Sequence, residues 1–284
     1  MARSGAGAPI GVFDSGVGGL SVLRAIRQEL PEEDVIYVAD QAHVPYGLRS
    51  LEEVREFSTV ITHFLISQGS KLIIVACNTA SAAALHDLRK TFVEISFVGM
   101  EPAVKPAAEH TRTGVVGVLA TPATFQGALY ASVVERFSNG VLLLQDTCPG
   151  LVGQIEAGHL ATPETRAILE RALLPMLEQG IDTIVLGCTH YPFVIPLIQK
   201  ITGPSVRVID PAPAVARQAR RVMVQRNLLK PGYSIELINA QVRVITTKDA
   251  QKLETMLPNL VGATWPVEII DWSALSQISD YYDT

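Results

Sequence analysis

Two cysteines follow short apolar segments at the points where two predicted β-strands end. Cys77 closes the apolar run in LIIVACNT at 72–79, and Cys188 does the same in TIVLGCTH at 183–190. Each cysteine precedes polar residues that can form hydrogen bonds: Asn78, Thr79, Thr189 and His190. This internal repeat predicts two similar half-sites, one in each half of the chain, that face a single cleft.

A pair of thiols facing one cleft has the chemistry needed to invert a carbon stereocentre. Inversion requires one group that removes a proton from one face of the carbon and a second that delivers a proton to the other, and a thiolate and a thiol can exchange these roles. The reference pKa of cysteine, about 8.5, is close to operating pH and is easily lowered. For each cysteine taken alone, however, packing as a small hydrophobe remains the alternative interpretation.

The remaining cysteine and the histidines add less chemistry. Cys148, in DTCPG at 146–150, has no comparable context and is predicted to be structural. His190 is either a satisfied core histidine or an acid, base or orienting group beside Cys188. The other five have no metal-ligand spacing, so we predict no metal site: His43, His63, His86, His110 and His159.

Further polar side chains lie where predicted strands end: Asp14, Ser15 and Asp40. Ligands of open parallel sheets bind outside the carboxyl ends of the strands. Donors such as Asn78, Thr79 and Thr189 would hold an α-carboxylate and stabilise a developing carbanion. An acceptor such as Asp14 would take up an ammonium group. These positions predict a site for a small amino acid.

Two segments keep open interpretations. The glycines in GVGG at 16–19 resemble a phosphate-binding loop, but neither GxGxxG nor a following Lys-Ser/Thr is present. We predict instead a tight turn that lets the backbone approach a small carboxylate. Thr121 and Thr124 begin a predicted helix and either only cap it or also contact an anionic ligand.

Composition excludes several classes of function. With a net charge of −5 and scattered basic residues, we expect neither nucleic acid nor an anionic membrane as a partner. Three cysteines in 284 residues are typical of a reducing cytoplasm. The first residues lack the apolar core of a signal peptide, and no apolar run approaches the roughly 20 residues of a membrane helix. We therefore expect a cytoplasmic protein.

Short β-branched runs alternate with helical periodicity along almost the whole chain, which predicts a parallel α/β fold. Strands are predicted at 10–13, 35–39, 72–76, 96–98, 115–119, 141–144, 183–186, 206–209, 235–238 and 242–245. Helices are predicted at 20–30, 51–67, 80–90, 123–137, 163–179 and 211–225, with a short helix from Lys248. The length suits two domains, with a boundary near 100–102.

Four motifs together resemble glutamate racemase: GVFDSGVGGL at 11–20, PYG at 45–47, ACNTA at 76–80 and LGCTHYP at 186–192. Their order and spacing match that family along nearly the whole chain. The resemblance implies two similar parallel-sheet α/β domains with the active site in the cleft between them. It implies a first domain of 1–100 plus 211–284, a second of 101–210, and a homodimer, which is common in the family.

The activity implied by the resemblance is cofactor-independent racemisation of L- and D-glutamate, which supplies D-glutamate for peptidoglycan. Cys77 would serve the D-enantiomer with help from Asp14. Cys188 would serve the L-enantiomer with help from His190, itself supported by Glu156. Substrate-binding positions are implied at Ser15, Tyr46, Gly47, Asn78, Thr79, Thr189 and His190.

Two departures and two alternatives remain. His43 stands where many relatives carry another residue, and 272–284 extend beyond the family pattern, as a disordered tail or an interface segment. A racemase of another small acid, such as aspartate, would also use two cysteines, although Tyr46-Gly47 and Cys188-Thr189-His190 favour glutamate. A small-molecule binding module would use the thiols for redox sensing or packing.

Overall fold

The structure, a computed structural model, describes residues 5–230 and 240–282 and builds two parallel β-sheets from them. Its strands are β1 (Ile10–Asp14), β2 (Val35–Ala39), β3 (Leu72–Val75), β4 (Ser96–Gly99), β5 (Val115–Ala120), β6 (Leu142–Asp146), β7 (Thr183–Gly187), β8 (Arg207–Ile209), β9 (Val242–Thr246) and β10 (Val267–Ile269). The larger sheet has the order β10-β9-β2-β1-β3-β4, and the smaller has β6-β5-β7-β8. The predicted α/β class with two parallel sheets is confirmed.

Helices alternate with these strands, as parallel pairing requires. They are α1 (Leu20–Glu29), α2 (Leu51–Ser67), α3 (Asn78–Thr91), α4 (Val104–His110), α5 (Pro122–Gln126), α6 (Ala128–Phe137), α7 (Leu151–Glu156), α8 (Pro163–Glu178), α9 (Ile195–Thr202), α10 (Ala212–Arg226), α11 (Ala250–Val261) and α12 (Trp272–Tyr282), with 3-10 turns at Tyr46–Leu48 and Tyr191–Val194. Among the described residues, no helix is both long enough and apolar enough to cross a membrane.

Burial follows the sheet topology. Every residue of β1, β2 and β7 is buried, because helices cover both faces of central parallel strands. By contrast, β6 lies at the edge of the smaller sheet and is partly exposed. The strands predicted at 10–13, 35–39, 72–76 and 183–186 are therefore central strands, whereas the one predicted at 96–98 is β4, at the edge of the larger sheet with half-buried ends.

The predicted single helix at 123–137 is wrong. The chain forms α5 and α6, separated by Gly127, whose backbone is extended with φ −69° and ψ 138°. A Cβ at Gly127 would lie 2.7 Å from that of Ala82 on α3, so the break lets the chain pass close to α3. Several short elements were also not predicted: α4, α7, α9, β10 and α12.

The C-terminal segment adds its strands to the first sheet. β9 pairs in parallel with β2, and β10 pairs with β9. The limits predicted for the two domains, 1–100 plus 211–284 and 101–210, stay a prediction. The strand predicted at 235–238 lies outside the described residues.

The end of the described chain forms a helix packed on the first sheet's outer layer. α12 contacts α2, and Leu275 on α12 is fully buried. Trp272 meets the ring of His43 edge-on at 4.4 Å between centroids, and His43 stacks on Phe57 at 4.1 Å. His43 and α12 are therefore parts of one apolar contact beside the first sheet.

Leu275→Ala tests how much that contact contributes to stability. We expect the free energy of unfolding to fall by about 2–3 kcal/mol, since truncating a buried leucine removes apolar contacts and leaves a cavity. Urea denaturation followed by circular dichroism measures it. Leu174→Ala is the control, because Leu174 is exposed on α8 and should cost less than about 0.5 kcal/mol. Equal costs for both variants would show that α12 adds nothing to the core.

Candidate functional site

A single pocket collects residues from the carboxyl ends of strands in both sheets. The atom-free space in it, its open mouth included, is about 270 Å³. Its lining is Ser15, Pro45, Tyr46, Gly47, Cys77, Asn78, Thr79, Thr121, Val152, Cys188, Thr189 and His190. Both predicted reactive thiols therefore face one space.

Cys77 follows β3 and is held at the start of α3. Its backbone is extended, with φ −140° and ψ 124°, and its sulfur accepts a hydrogen bond from the backbone N–H of Ala80 at 3.4 Å. The thiol thus occupies the capping position of the helix, with its sulfur at the pocket wall. Burial and the nearby Asp14 carboxylate raise the pKa of Cys77 well above its ordinary value, so this sulfur carries its proton at neutral pH.

Cys188 follows β7 and has a different partner. Its sulfur lies 3.7 Å from Nδ1 of His190, and Nε2 of His190 lies 2.6 Å from Oε1 of Glu156. The three side chains form a hydrogen-bonded row that ends at the pocket. The sequence placed Cys188 and His190 two residues apart, but the contact with Glu156 joins residues 34 positions apart.

The row is charged at neutral pH. Burial opposes the charge on His190, but hydrogen bonds with Cys188 and Glu156 outweigh it and raise the pKa of His190 well above its ordinary value. Burial also opposes the charge on Glu156, yet the hydrogen bond with His190 and the N–H of Val17 lower the pKa of that carboxyl. The two shifts are consistent with each other, because each charged group stabilises the charged form of its partner. A protonated His190 donates to the sulfur of Cys188, so the two thiols stand in different electrostatic surroundings.

Asp14 lies behind the lining, at the end of β1. Its carboxylate accepts hydrogen bonds from the N–H of Gly19 at 2.7 Å and from the hydroxyl of Thr189 at 3.3 Å. Burial raises the pKa of Asp14, although the charge of His190 opposes this. Asp14 is thus a carboxyl that can hold or release a proton between the two half-sites.

The glycine loop at 16–19 approaches a carboxylate, as predicted, but that carboxylate belongs to the protein. The N–H of Val17 donates to Oε1 of Glu156 at 2.8 Å. A Cβ at Gly16 would lie 2.0 Å from the same oxygen, and one at Gly18 would lie 2.5 Å from Nδ1 of His190. These glycines therefore make room for the row of side chains beside Cys188.

Gly16→Ala is expected to disturb that row without touching the pocket lining. The added methyl group would displace the Glu156 carboxylate from Val17 and His190, so we expect activity to fall at least about tenfold and stability by about 1–3 kcal/mol. Steady-state kinetics and urea denaturation measure the two effects. Gly153→Ala is the control, since no atom lies within 4 Å of its added Cβ on α7. If Gly16→Ala had the same activity and stability as this control, the close approach of Gly16 to Glu156 would not matter for function.

Polar side chains on the other side of the pocket form a second group. Both polar atoms of the buried Asn78 side chain lack a hydrogen-bond partner within the described part of the chain, and such groups are rare in native interiors. The Thr79 hydroxyl bonds to that of Thr121 at 2.8 Å. Thr121 caps α5 and also lines the pocket. Thr124 bonds to Thr121 at 2.9 Å but lies behind the lining.

The segment 40–47 closes one side of the pocket. The Tyr46 hydroxyl donates to Asp40 at 2.6 Å, and Asp40 also contacts Nδ1 of His43 at 2.9 Å. A Cβ at Gly47 would lie 2.6 Å from that of Thr121. Tyr46 and Gly47 thus reach the lining as predicted, whereas His43 contacts Asp40 rather than the pocket.

Some residues of the site were not predicted. Pro45 and Val152 line the pocket, and Gln41 bonds to Glu156. Pro45 lies inside the PYG motif and could have been found there, but Val152 carries no chemical signal. In residues 5–230 and 240–282, no group of three or more His, Cys, Asp or Glu side chains is arranged to hold a metal ion.

Comparison with known proteins identifies the class. The model of the Asp/Glu/Hydantoin racemase family matches residues 10–219. This chain belongs to the Asp/Glu/Hydantoin racemase family, and it is a racemase. The matched residues include Cys77, Cys188 and the strands and helices that position them.

The relatives within that family are more specific. A glutamate racemase of Pseudomonas aeruginosa is 52% identical over 256 residues, which cover 90% of this chain and 95% of that protein. A crystal structure of a Bacillus anthracis glutamate racemase isoform has a TM-score of 0.83 at 32% identity, covering 93% of this chain and 98% of that one. The Francisella tularensis glutamate racemase, solved in complex with D-glutamate, has a TM-score of 0.81 at 29% identity, covering 95% and 99%. The resemblance to glutamate racemase is confirmed.

Proposed function

We propose that this protein interconverts L- and D-glutamate by a two-base proton transfer between Cys77 and Cys188, without a cofactor. One observation carries the proposal: both thiols line one pocket, each at the carboxyl end of a strand in a different sheet. The relatives named glutamate racemase support the choice of substrate.

The two thiols differ in the way that a two-base reaction requires. Cys77 is buried beside Asp14, which keeps its proton on the sulfur. Cys188 lies 3.7 Å from Nδ1 of the protonated His190, which places a cation beside its sulfur. Under the proposed assignment, Cys188 is the base that meets L-glutamate and Cys77 is the acid.

The reaction moves two protons and no net electrons. The Cys188 thiolate takes the α-proton of L-glutamate, and the electron pair of the C–H bond stays on the α-carbon. The thiol of Cys77 then gives its proton to the opposite face, which forms D-glutamate and a Cys77 thiolate. The cycle resets when the Cys77 thiolate regains a proton from solvent through Asp14 and the Cys188 thiol, beside the still protonated His190, loses its proton to solvent.

We assign substrate binding to the polar groups of the pocket. The amide of Asn78 has no hydrogen-bond partner among the described residues, so its N–H groups would donate to a substrate carboxylate as charge develops on the α-carbon. The Thr79, Thr121 and Thr189 hydroxyls supply further donors at the wall. Ser15, in the lining, would accept a hydrogen bond from the ammonium group, and Asp14, behind the lining, would act on that group only through its charge. We infer that Thr124 acts on the substrate only through Thr121.

We further propose that the D-glutamate serves peptidoglycan synthesis in the cytoplasm, and that the protein acts as a homodimer of two-domain subunits. Growth of a D-glutamate-requiring bacterial strain that carries this gene tests the first statement. Sedimentation at working concentration tests the second.

Solvent exchange tests the central claim. Protein dialysed against EDTA is incubated in D₂O with L-glutamate or with L-aspartate, and mass spectrometry and circular dichroism follow the mixture. We expect one deuterium at the α-carbon of glutamate as its optical signal decays to zero. Exchange into aspartate but not into glutamate would mean that the substrate is aspartate. Binding of glutamate without exchange would favour the binding-module alternative.

A further inference from the structure

We propose that Gln41 is a positioning residue for Cys188: its amide holds the Glu156 carboxylate that in turn holds His190. The inference rests on the proposed two-thiol reaction and assigns a role to a residue outside the pocket. Gln41 lies just past β2 and is buried.

The Glu156 carboxylate receives hydrogen bonds on both oxygens. Its Oε1 accepts from the N–H of Val17 at 2.8 Å and contacts Nε2 of His190 at 2.6 Å. Its Oε2 accepts from Nε2 of Gln41 at 3.2 Å. Gln41 is thus the partner of the second oxygen, and it fixes the rotation of the carboxylate about its terminal bond.

The orientation of the Gln41 amide follows from its neighbours. An ionised carboxylate can only accept, so the nitrogen of Gln41 must face Glu156. Its oxygen accepts from the hydroxyl of Thr246 at 2.8 Å, and that hydroxyl accepts from the N–H of Lys248 at 3.3 Å. Each hydrogen bond in this series therefore has a fixed donor: Thr246, at the end of β9, donates to Gln41, and Gln41 donates to Glu156.

This series of hydrogen bonds acts on the sulfur of Cys188 through the charges of Glu156 and His190. The hydrogen bond from Gln41 contributes to the lowered pKa of Glu156, and the ionised Glu156 contributes to the raised pKa of His190. Cys188, Glu156 and Asp14 are the ionisable groups that act on His190 in the described structure. Without the amide, Glu156 is a weaker partner, so His190 holds its proton less firmly and places a positive charge beside the sulfur of Cys188 less of the time.

Gln41→Met removes the amide and keeps the length of the side chain. We expect kcat to fall by roughly tenfold, as for the loss of one buried hydrogen bond to a charged group, and the alkaline limb of the pH profile to shift to lower pH. The primary isotope effect should increase for α-deuterated L-glutamate, whose proton Cys188 removes, and decrease for α-deuterated D-glutamate, because the transfer at Cys77 then limits the overall rate less. A purely structural loss would lower the melting temperature but would neither move the pH limb nor change the two isotope effects in opposite directions.

Gln41→Glu provides the second test. The new carboxyl would face Glu156, so near neutral pH like charges would oppose each other, whereas at lower pH a protonated Glu would donate in place of the amide. Its activity relative to the natural protein should therefore recover as the pH falls. Gln145→Met is the control for replacing a glutamine, because Gln145 is exposed and its amide donates to the Tyr130 hydroxyl at 2.9 Å, outside the pocket.

The outcomes separate the two proposals. If Gln41→Met keeps the natural pH profile and both isotope effects while Cys188→Ala is inactive, the role of Gln41 is refuted and the two-thiol reaction stands. If Cys188→Ala racemises glutamate normally, the proposed function itself fails.

Discussion

Cys77→Ala and Cys188→Ala are each expected to lower racemisation by roughly 10²–10⁴-fold, the range for loss of a general acid or base. Each variant keeps one thiol in the pocket and so lacks either the group that removes the proton or the group that returns it. Polarimetry of purified protein with each enantiomer of glutamate measures the loss. Normal racemisation by both variants would refute the two-base reaction.

Proton exchange by the remaining thiol is a more specific test of the mechanism than the loss of racemisation. With Cys188 removed, Cys77 can still exchange the α-proton of D-glutamate with solvent on its own face, and Cys77→Ala should exchange only L-glutamate. We expect deuterium to enter one enantiomer in each variant, with retention of configuration. Entry into the opposite enantiomers would reverse the assignment of the two thiols while keeping the mechanism.

Steady-state rates in the L-to-D and D-to-L directions cannot show which thiol acts on which enantiomer. Enantiomers have equal free energies in water, so kcat/KM must be the same in both directions for any variant that remains active. A defect on one side therefore appears in isotope effects and in exchange, which report individual proton transfers. For this reason the tests of Cys77, Cys188 and Gln41 rely on deuterium.

Cys148→Ala is the control for the cysteine variants. Cys148 is buried, with a positive φ of 43°, and it does not line the pocket. Burial raises the pKa of its thiol, as expected for a structural cysteine. Full activity in this variant would show that the loss in the other two follows from their position rather than from a missing thiol.

The parts of the site that sequence could predict are those determined by local pattern and parallel topology. Apolar runs at 72–76 and 183–186 mark buried central strands, and the carboxyl ends of such strands form the binding edge of a sheet. Cys77, Asn78, Cys188 and His190 follow those runs, so their convergence on one pocket was predictable before the structure was known.

The parts that sequence alone did not reveal depend on contacts between distant segments. Val17 and Glu156 are 139 positions apart, and Gln41 and Glu156 are 115 apart. The glycines at 16–19 indicated close approach of a carboxylate, but local pattern could not show whether it belonged to a ligand or to Glu156. The break at Gly127 likewise depends on α3, which lies far away in sequence.

Glu156→Gln is expected to lower kcat by about 10²-fold, in the range for impaired acid–base catalysis. The neutral side chain removes the charge that sustains the imidazolium of His190, so the pKa of His190 falls and the alkaline limb of the pH profile moves to lower pH. The new amide would also place N–H groups opposite those of Gln41 or His190, so one buried donor loses its acceptor. Kinetics across the pH range measure both effects.

The same variant should lose stability in a defined pH window. Glu156 has a lowered folded pKa, so its contribution is complete above the unfolded value of 4.5 and disappears as the pH falls through the folded one. His190 has a raised folded pKa, so its contribution is complete below the unfolded value of 6.5 and disappears as the pH rises through the folded one. The part of the cost that comes from the lost ion pair should therefore be largest between pH 4.5 and 6.5, in addition to about 1–3 kcal/mol for the unsatisfied buried donor, which does not change with pH.

Urea denaturation of the natural protein and the variant at several pH values measures that window. Glu170→Gln is the control, because its pair with Arg166 lies on the exposed face of α8 and should contribute less than about 1 kcal/mol at any pH. A cost for Glu156→Gln that does not depend on pH would mean that Glu156 and His190 are not an ion pair. Cys188 would then lack a positive charge beside its sulfur, and only Asp14 would make the electrostatic surroundings of the two thiols different.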